Sequence, residues 1–502
     1  MELGSSNTHV ADVTISAKGY VAGVAGDAIS RYMLLINSEH FSSPLDWNKG
    51  VAKASGHFGG LVVSVLSNNE TLDLETDESY TLDIPVNGTG SLTAKTSYGV
   101  VIRNTPIHIE DAPFFPHRGL QVDTSRNYFP VSVLKRTLDA MSYNKMSVLH
   151  WHIVDAQSWP VESKTFPELQ KNGAYSAKET YSYADVKDLI QYAKNRGIRI
   201  IPEFDVPGHT YIVGEAYPEL MSCMDVQPNW DKYAAEPPSG QLNIAKPETI
   251  EFTNKLVTEY TGLFVDNVFH LGGDEVNRNC WKEDPDVIKY LAAHPGEDVE
   301  SLLSGWYSKV HDHLESLNRT GYSWEETLFH STYTPPKDTI IQTWIDEQSI
   351  SKTVAKGYRS VASPAAYYYL DCGHGAWLSN WVNGNSWCDP FKTWMKMYSF
   401  DPLANITDPE EQKRVLGGEA VLWAEQTDEV VLDGRLWPRA AAVAETTWSG
   451  KRDANGRVRT TEEVASRLHE QRFRMVGRGI AAEPMQPVWC VRNPGHCNVP
   501  GA

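Results

Sequence analysis

Eight short apolar segments, each ending in polar or aromatic residues, constrain the fold of this chain more than any other feature. They cover residues 119–123, 147–155, 198–205, 268–275, 322–324, 339–344, 361–370 and 415–425. Amphipathic stretches at 131–143, 183–196 and 247–264 lie between them and predict helices. Strands that alternate with helices indicate a parallel sheet. Eight such units predict an α/β fold, a (β/α)₈ barrel.

The residues that end these segments are candidates for one shared site. In a β/α barrel the carboxyl ends of all strands open on the same face, which carries the active site. The candidates are Asp123, Asp155, Asp205, Asp274 with Glu275, Trp324, Trp344, Tyr369 with Asp371, and Trp423 with Glu425. We therefore expect residues far apart in the sequence to meet there.

The strongest local signal is His270-Leu-Gly-Gly-Asp-Glu275, an apolar strand that runs into two glycines and two adjacent carboxylates. Neighbouring side chains on a strand point to opposite sides, so a twist or bulge is needed for both acids to reach one substrate. Retaining glycosidases ordinarily use two separated carboxylates. Here Glu275 could protonate the leaving oxygen while Asp274 holds a 2-acetamido group, whose carbonyl oxygen is the nucleophile. A solvated Asp-Glu pair is the alternative interpretation.

Other candidates surround this pair. The rigid fork of Arg118 suits bidentate bonds to sugar hydroxyls, with a structural ion pair as the alternative. Asp155 and His209 could orient the acid. The tryptophans could box an acetamido methyl group and a pyranose ring, or could be core residues. Tyr369 could donate its hydroxyl to the acetamido oxygen. Asp371 and Glu425 could hold ring hydroxyls.

Composition excludes several classes of function. The net charge of -19 disfavours nucleic acid and anionic membranes as partners. No apolar run approaches the roughly 20 residues of a membrane span. We find no sequence motif of a zinc protease, serine hydrolase or nucleotide-binding site, and predict neither cofactor nor metal. His150-Trp-His152 looks like a metal pair, but packing inside a barrel is the favoured interpretation.

Two patterns indicate the secretory pathway. The six cysteines are even in number and form no C-x-x-C pair. N-x-S/T sequons occur at Asn69, Asn87, Asn318 and Asn405. The first residues lack an apolar signal core, so we expect a secreted chain whose signal peptide has been removed. Residues up to 111 are β-rich, with strand-like runs at 61–66 and 80–84. They predict a smaller N-terminal domain, 1–111, before a catalytic domain, 112–502.

Seven stretches carry a resemblance to glycoside hydrolase family 20, the β-N-acetylhexosaminidases, in its eukaryotic, fungal and insect-like secreted branch. They are HRGLQVDTSRNYFP, LHWHIVDAQSWP, RIIPEFDVPGHT, FHLGGDEV, YYLDCGHGAW, SWCDPFKTW and LWAEQ. The resemblance implies removal of terminal N-acetylglucosamine, and N-acetylgalactosamine, from chitooligosaccharides or glycoconjugates through an oxazolinium intermediate. It implies a zincin-like, metal-free N-terminal α/β domain and a homodimer.

Roles for individual residues also follow from this resemblance. Glu275 is implied as the acid/base and Asp274 as the group that polarises the acetamido group, with the other candidates in the roles given above. Trp387 resembles an aromatic residue of the +1 subsite in chitin-degrading members. The implied disulfides are Cys223–Cys280, Cys372–Cys388 and Cys490–Cys497. A helix that usually ends the family's first domain is not evident at residues 97–105.

Three alternatives remain open at this point. A non-catalytic sugar-binding relative would keep the aromatic and arginine contacts without needing a protonated acid. A glucosidase on the same barrel would need a nucleophilic carboxylate on a separate strand. A metal-dependent hydrolase would lose activity on chelation.

Overall fold

A computed structural model describes residues 2–6, 8–19, 23–38, 56–67, 69–94, 105–378, 380 and 382–499. Its first part is a six-stranded mixed sheet with the strand order β1-β6-β4-β5-β3-β2. The strands are β1 (Glu2–Ser6), β2 (Thr8–Gly19), β3 (Gly56–Val65), β4 (Tyr80–Ile84), β5 (Gly88–Ala94) and β6 (Thr105–Asp111). Helix α1 (Gly23–Ser38) packs Ala25 and Ile29 against the apolar side chains of this sheet. The stretch where the family's helix was not evident falls mostly at 95–104, outside the described residues.

Eight parallel strands then close into a barrel, which confirms the predicted fold class. They are β7 (His117–Asp123), β8 (Val148–Val154), β9 (Arg199–Phe204), β12 (Val268–His270), β13 (Thr320–Trp324), β14 (Ile340–Thr343), β15 (Arg359–Ala362) and β16 (Val415–Leu422). Strand β16 pairs with β7 to complete the ring. A short antiparallel pair, β10 (Met221–Ser222) and β11 (Gln241–Leu242), lies in the connection between β9 and β12.

Helices connect the barrel strands. They are α2 (Val131–Tyr143), α3 (Pro167–Gly173), α4 (Tyr183–Lys194), α5 (Tyr211–Gly214), α6 (Pro247–Leu263), α7 (Arg278–Glu283), α8 (Pro285–Ala293), α9 (Val299–Ser316), α10 (Glu326–Phe329), α11 (Ser349–Ala355), α12 (Ala365–Tyr368), α13 (Trp394–Ser399), α14 (Pro409–Gln412), α15 (Leu432–Leu436), α16 (Arg439–Ser449), α17 (Thr461–Gly477) and α18 (Val488–Arg492). Helix α2 buries Leu134, Leu138 and Met141, three or four residues apart, on its inner face. A capping box of Ser182 and Asp185 begins α4.

Two predicted segments differ from the structure in a way that matters for the site. The segment 361–370 is a strand only as far as Ala362. Pro364 then caps the short helix α12 that follows, because proline cannot donate to a strand ladder and is suited to a helix start. The segment 268–275 is a strand only as far as His270, and its last residues form a glycine-rich turn.

The three predicted disulfides, Cys223–Cys280, Cys372–Cys388 and Cys490–Cys497, are present. The second joins the end of the β15–α12 segment to the loop that follows it. Within the described residues, no helix combines the length and the apolar character that crossing a membrane requires.

Candidate active site

A cavity of about 590 Å³ lies at the carboxyl ends of the barrel strands. Nine of the predicted site residues line it: His209, Asp274, Glu275, Trp344, Tyr369, Asp371, Trp387, Trp423 and Glu425. They come from connections that follow five different strands. The barrel topology therefore brings these distant residues together, as the positions of the strand ends predict.

The turn at Gly272-Gly273-Asp274-Glu275 supplies the backbone twist that the adjacent acids require. Gly272 and Gly273 have φ angles of +63° and +100°, and Glu275 has +52°. A Cβ atom on Gly272 would collide with the side chain of Asp205, which makes this position specific for glycine. A left-handed conformation is costly for a residue with a side chain and concentrates at functional sites. The left-handed backbone of this turn lets Asp274 and Glu275 line one cavity.

Glu275 belongs to a hydrogen-bonded row with His209 and Asp155. Its Oε2 lies 3.2 Å from His209 Nε2, and His209 Nδ1 lies 3.0 Å from Asp155 Oδ1. Burial disfavours a charge on His209, but Asp155 and Glu275 hold its pKa well above the usual range. Asp155 does not line the cavity and is linked to it through His209 and Arg126, which both do. A protonated imidazole at this place can stabilise the carboxylate that Glu275 becomes when it gives up its proton.

Asp274 lines the cavity and has an unused acceptor atom. Its Oδ1 atom is buried and has no hydrogen-bond partner among the described residues. Burial raises the pKa of Asp274 to about 6 against the opposing charge of His209. Burial and the nearby Asp274 raise the pKa of Asp205 well above its usual range, so Asp205 holds the proton of this pair. Asp274 is then free to accept a hydrogen bond from a ligand.

Aromatic rings form one wall of the cavity. The ring centroids of Trp344 and Tyr369 are 6.2 Å apart and nearly parallel, and Trp423 lies 6.5 Å from Tyr369. Trp387 stands edge-on to Trp344 at 5.6 Å and is two-thirds exposed. Trp324 is fully buried beside Trp423, at 6.0 Å, and is not among the residues that line the cavity.

The orientation of the Trp344 ring depends on a residue that the sequence did not single out. Its Nε1 donates to the carboxyl group of Glu326, at 3.0 Å. Burial and the negative charge of Asp274 raise the pKa of Glu326 well above its usual range. Glu326 is in the first turn of α10, just after Trp324, and no motif in the chain marked it.

Two further carboxyl groups, those of Asp371 and Glu425, line the cavity. Burial raises the pKa of Asp371 to about 7, and its Oδ1 has no partner among the described residues. Burial and the charge of Glu236 raise the pKa of Glu425 well above its usual range. Carboxyl groups with spare hydrogen-bonding capacity can bind ring hydroxyls, so both positions suit the predicted contacts.

The prediction for Arg118 is wrong. Arg118 is the second residue of β7 and lies at the opposite end of the barrel from the cavity. Its Nη2 binds both oxygens of Glu78 at 2.7 and 2.8 Å, and its Nε donates to the carbonyl of Lys145. A residue at the amino end of a barrel strand faces away from the site, and Arg118 instead joins the barrel to the segment that precedes β4.

The arginine that lines the cavity is Arg126. It follows the end of β7, its guanidinium lies 5.0 Å from the Trp423 ring, and its Nη2 is 2.9 Å from Asp155. Although burial disfavours its charge, Asp155, Glu236 and Asp123 hold the pKa of Arg126 well above its usual range. Asp123 also accepts from the backbone N–H of Arg126 and fixes its loop. Its position after the first strand was the available signal.

The two histidines of His150-Trp-His152 point into the barrel, as the packing interpretation predicts. His150 contacts Glu203 and Glu419, at 2.9 and 2.7 Å, and His152 contacts Glu203 and Asp155, at 2.6 and 2.8 Å. These carboxylates come from other strands, which is why no partner is visible near the histidines in the sequence.

Comparison with known proteins gives one consistent family. Residues 115–451 match the sequence profile of the catalytic domain of glycosyl hydrolase family 20. The chain is 36% identical over 489 residues to β-hexosaminidase 1 of Coccidioides posadasii, covering 88% of this chain and 82% of that protein. It is 35% identical over 470 residues to a chitooligosaccharidolytic β-N-acetylglucosaminidase of Ostrinia furnacalis, covering 86% and 76%.

Solved structures agree with the sequence comparison. The structure is similar to that of a chitobiase of Flavobacterium johnsoniae, with a TM-score of 0.76 and 26% identity. The similarity covers 98% of this chain and 75% of the chitobiase. Both the N-terminal sheet and the barrel therefore lie in the region of similarity.

Proposed function

Because the chain belongs to glycosyl hydrolase family 20 and is a glycoside hydrolase, we propose that it removes terminal β-linked N-acetylglucosamine, and N-acetylgalactosamine, from oligosaccharides. One observation carries this proposal: the unpartnered carboxylate oxygen of Asp274 and the acid Glu275 share a cavity walled by aromatic rings. The names of the fungal and insect relatives support the substrate class. A non-catalytic sugar-binding protein would not need the contact between Glu275 and His209.

The first chemical step uses the sugar's own amide. Asp274 accepts a hydrogen bond from the acetamido N–H and orients the carbonyl oxygen, to which Tyr369 donates. That oxygen attacks the anomeric carbon while Glu275 protonates the departing glycosidic oxygen. The C–O bond to the leaving group breaks, and a cyclic oxazolinium ion forms. The negative charge of Asp274 balances the positive charge of this ion, a stabilisation that is strong in a buried site.

The second step reverses the role of Glu275. As a carboxylate it accepts a proton from a water molecule, whose oxygen attacks the anomeric carbon and opens the oxazolinium ring. Two inversions leave the anomeric configuration unchanged. The charged imidazole of His209 stabilises the carboxylate between the steps. Glu275 therefore acts as acid and then as base.

Sugar recognition divides between two sides of the cavity. Trp344 and Trp423, backed by Trp324, pack against the acetamido methyl group and the ring. Arg126, Asp371 and Glu425 bind the ring hydroxyls, with Arg126 in the role that the sequence led us to expect of Arg118. The exposed ring of Trp387 stacks on the next sugar, at the +1 subsite.

Comparison of nitrophenyl glycosides tests this function. We expect turnover of the β-N-acetylglucosaminide and β-N-acetylgalactosaminide, and none of the β-glucoside, which has no acetamido group. A thiazoline analogue of the oxazolinium ion should inhibit strongly, and a chelator should have no effect. Glu275→Gln and Asp274→Asn should each lower kcat by about 10²-fold or more. Equal turnover of the glucoside would refute attack by the amide.

We further propose that the protein is secreted and glycosylated. All six cysteines are paired, and disulfides persist in oxidising compartments. The four sequon asparagines, Asn69, Asn87, Asn318 and Asn405, are exposed. Secretion from a eukaryotic host, with a mass loss on treatment with an amidase that removes N-glycans, supports this proposal. An unchanged mass contradicts it.

The organisation of the chain can be tested separately. We propose that residues 1–111 form an N-terminal α/β domain and residues 112–502 the catalytic domain, because the sheet and the barrel have separate hydrophobic clusters. Limited proteolysis should then cut first near residue 111. Association into a homodimer stays a prediction, which light scattering can test.

A further inference from the structure

A row of alternating carboxyl and imidazole groups runs from Glu275 into the interior of the barrel. We call it the ladder, and its members are, in order, Glu275, His209, Asp155, His152, Glu203, His150, Glu419 and His117. Successive nitrogen–oxygen distances are 3.2, 3.0, 2.8, 2.6, 2.9, 2.7 and 2.8 Å. The members beyond His209 are buried.

A ladder of this kind is unusual inside a barrel. Barrel interiors are ordinarily filled by layers of branched apolar side chains, and buried charges are costly even when paired. Here an apolar layer fills only the far end, around Val148, Ile201 and Tyr322. The ring of Tyr322 lies 6.3 Å from that of His117, the last member of the ladder. The ladder is therefore closed at its inner end and opens to the cavity through Glu275.

The ladder holds separated charges. Burial opposes ionisation, yet the surrounding imidazoles, among them His152 and His150, hold the pKa of Glu203 well below its usual range. Burial also opposes charge on His150, but Glu419 and Glu203 raise its pKa to about 9. Burial is likewise outweighed at His152, whose pKa Glu203 and Asp155 hold well above its usual range. Carboxylates and charged imidazoles thus alternate as far as Glu419, whereas burial lowers the pKa of His117, the last member.

Other titratable groups, some charged and some neutral, face the same residues and must stay constant in any test. Arg126 contacts Asp155 from the loop after β7. His270 lies 3.1 Å from Glu203 on the neighbouring strand β12. Asp205 and Asp274 act on His209 from the connections after β9 and β12. None of these groups is removed when a deeper member of the ladder is changed.

We propose that Glu203, and more weakly Glu419, are positioning residues that set the pH range over which the acid step operates. They act through His152, Asp155 and His209, because charges separated by little water interact strongly over several side chains. Neither Glu203 nor Glu419 lines the cavity. The inference rests on the proposed function of Glu275 as the acid.

The test is the pH profile of kcat/KM on a nitrophenyl β-N-acetylglucosaminide, whose basic limb reports loss of the proton from the acid. Glu203→Gln removes one negative charge and keeps the shape of the side chain. The ladder behind the acid then carries one negative charge less, which makes loss of a proton at its open end easier. We therefore expect the basic limb to move to lower pH by about 0.5 unit or more. Glu419→Gln should move it in the same direction and less.

Asp266→Asn is the matched control, because it removes a buried carboxylate paired with Arg199 and outside the ladder. If the ladder only holds the barrel together, the ladder variants should have a lower Tm or kcat, and the basic limb of the pH profile should not move. An unmoved limb in both ladder variants, or an equal shift in the control, overturns the proposal. Absence of activity on the substrate in the unaltered protein would instead refute the proposed function.

A second measurement covers the case in which Glu203→Gln does not fold. In unaltered protein labelled with ¹⁵N-histidine, the His150 ring should carry both protons at pH 7.5, because its pKa is about 9. Its resonances can be assigned by their loss in His150→Gln. A neutral ring at this pH overturns the charge alternation on which the proposal depends.

Discussion

Replacing Arg118 and Arg126 separately by methionine tests the structural assignment of the two arginines. Methionine keeps an unbranched side chain and removes the charged head. The sequence motif contains both residues, eight positions apart, and only one can bind the sugar. The structure predicts opposite consequences, because Arg126 lines the cavity and Arg118 lies at the other end of the barrel.

For Arg118→Met the loss is one of stability. The change leaves Glu78 without its partner and frees the backbone carbonyls of Phe115 and Lys145. Breaking a buried ion pair costs about 3–5 kcal/mol. For the roughly 340 residues between 115 and 451, the unfolding entropy is about 0.7 kcal/mol/K, so Tm should fall by about 4–7 °C. We expect kcat and KM to stay within about twofold of the unaltered protein.

For Arg126→Met the loss is one of activity. Two hydrogen bonds from the guanidinium to sugar hydroxyls, worth at least about 1.5 kcal/mol each, correspond to a loss of roughly 150-fold in kcat/KM. Asp155 also loses one of its three cationic partners, which can only add to this loss because Asp155 positions His209.

The assays are steady-state kinetics on a nitrophenyl β-N-acetylglucosaminide and calorimetry at one scan rate. Equal kinetic losses in the two variants, or normal kinetics in Arg126→Met, would contradict the assignment of the two arginines.

Three further expectations concern the turn, the buried acid and the loop disulfide. In Gly272→Ala the new methyl group collides with Asp205, and the residue must keep a φ of +63°. We therefore expect kcat to fall on the order of 10²-fold or more. Near-normal kinetics would show that the turn adapts. Asp274 acts as the anion, so kcat/KM should decline as pH falls through about 6, and this limb should vanish in the residual activity of Asp274→Asn. Replacing Cys372 and Cys388 by serine frees a loop closed over 16 residues, so KM should rise more for chitobiose than for a monosaccharide glycoside; equal changes would refute a role of this loop in binding the second sugar.

The barrel could be predicted from the sequence because its signal is local and repeated. Each strand is a short apolar run, and helix α2 begins and ends where the pattern of apolar residues predicts. The predicted strand bounds differ from the structure where one residue changes the local geometry. Pro364 divides a single apolar run into a strand and a helix, and hydrophobicity alone does not register that change.

The sequence predicts which residues belong to the site better than it predicts the contacts that they make. Asp274, Glu275 and Tyr369 follow strand ends, so one rule of topology places them in one cavity. The same rule excludes Arg118, which precedes most of its strand, and admits Arg126, which follows it. The chemistry of the guanidinium fork is the same at both positions, and only the place of each arginine along the chain relative to β7 separates them.

The ladder shows the limit of reading partners from a single sequence. Glu419 stands inside an otherwise apolar strand and Glu203 follows an apolar run in β9, and a carboxylate in such a place needs a partner. That much is visible without a structure. The identity of the partner cannot be read from the sequence, because it depends on how neighbouring strands align around the barrel. The pairing of His152 with Glu203 across β8 and β9 decides it, and a shift of one residue would turn the two side chains to opposite faces.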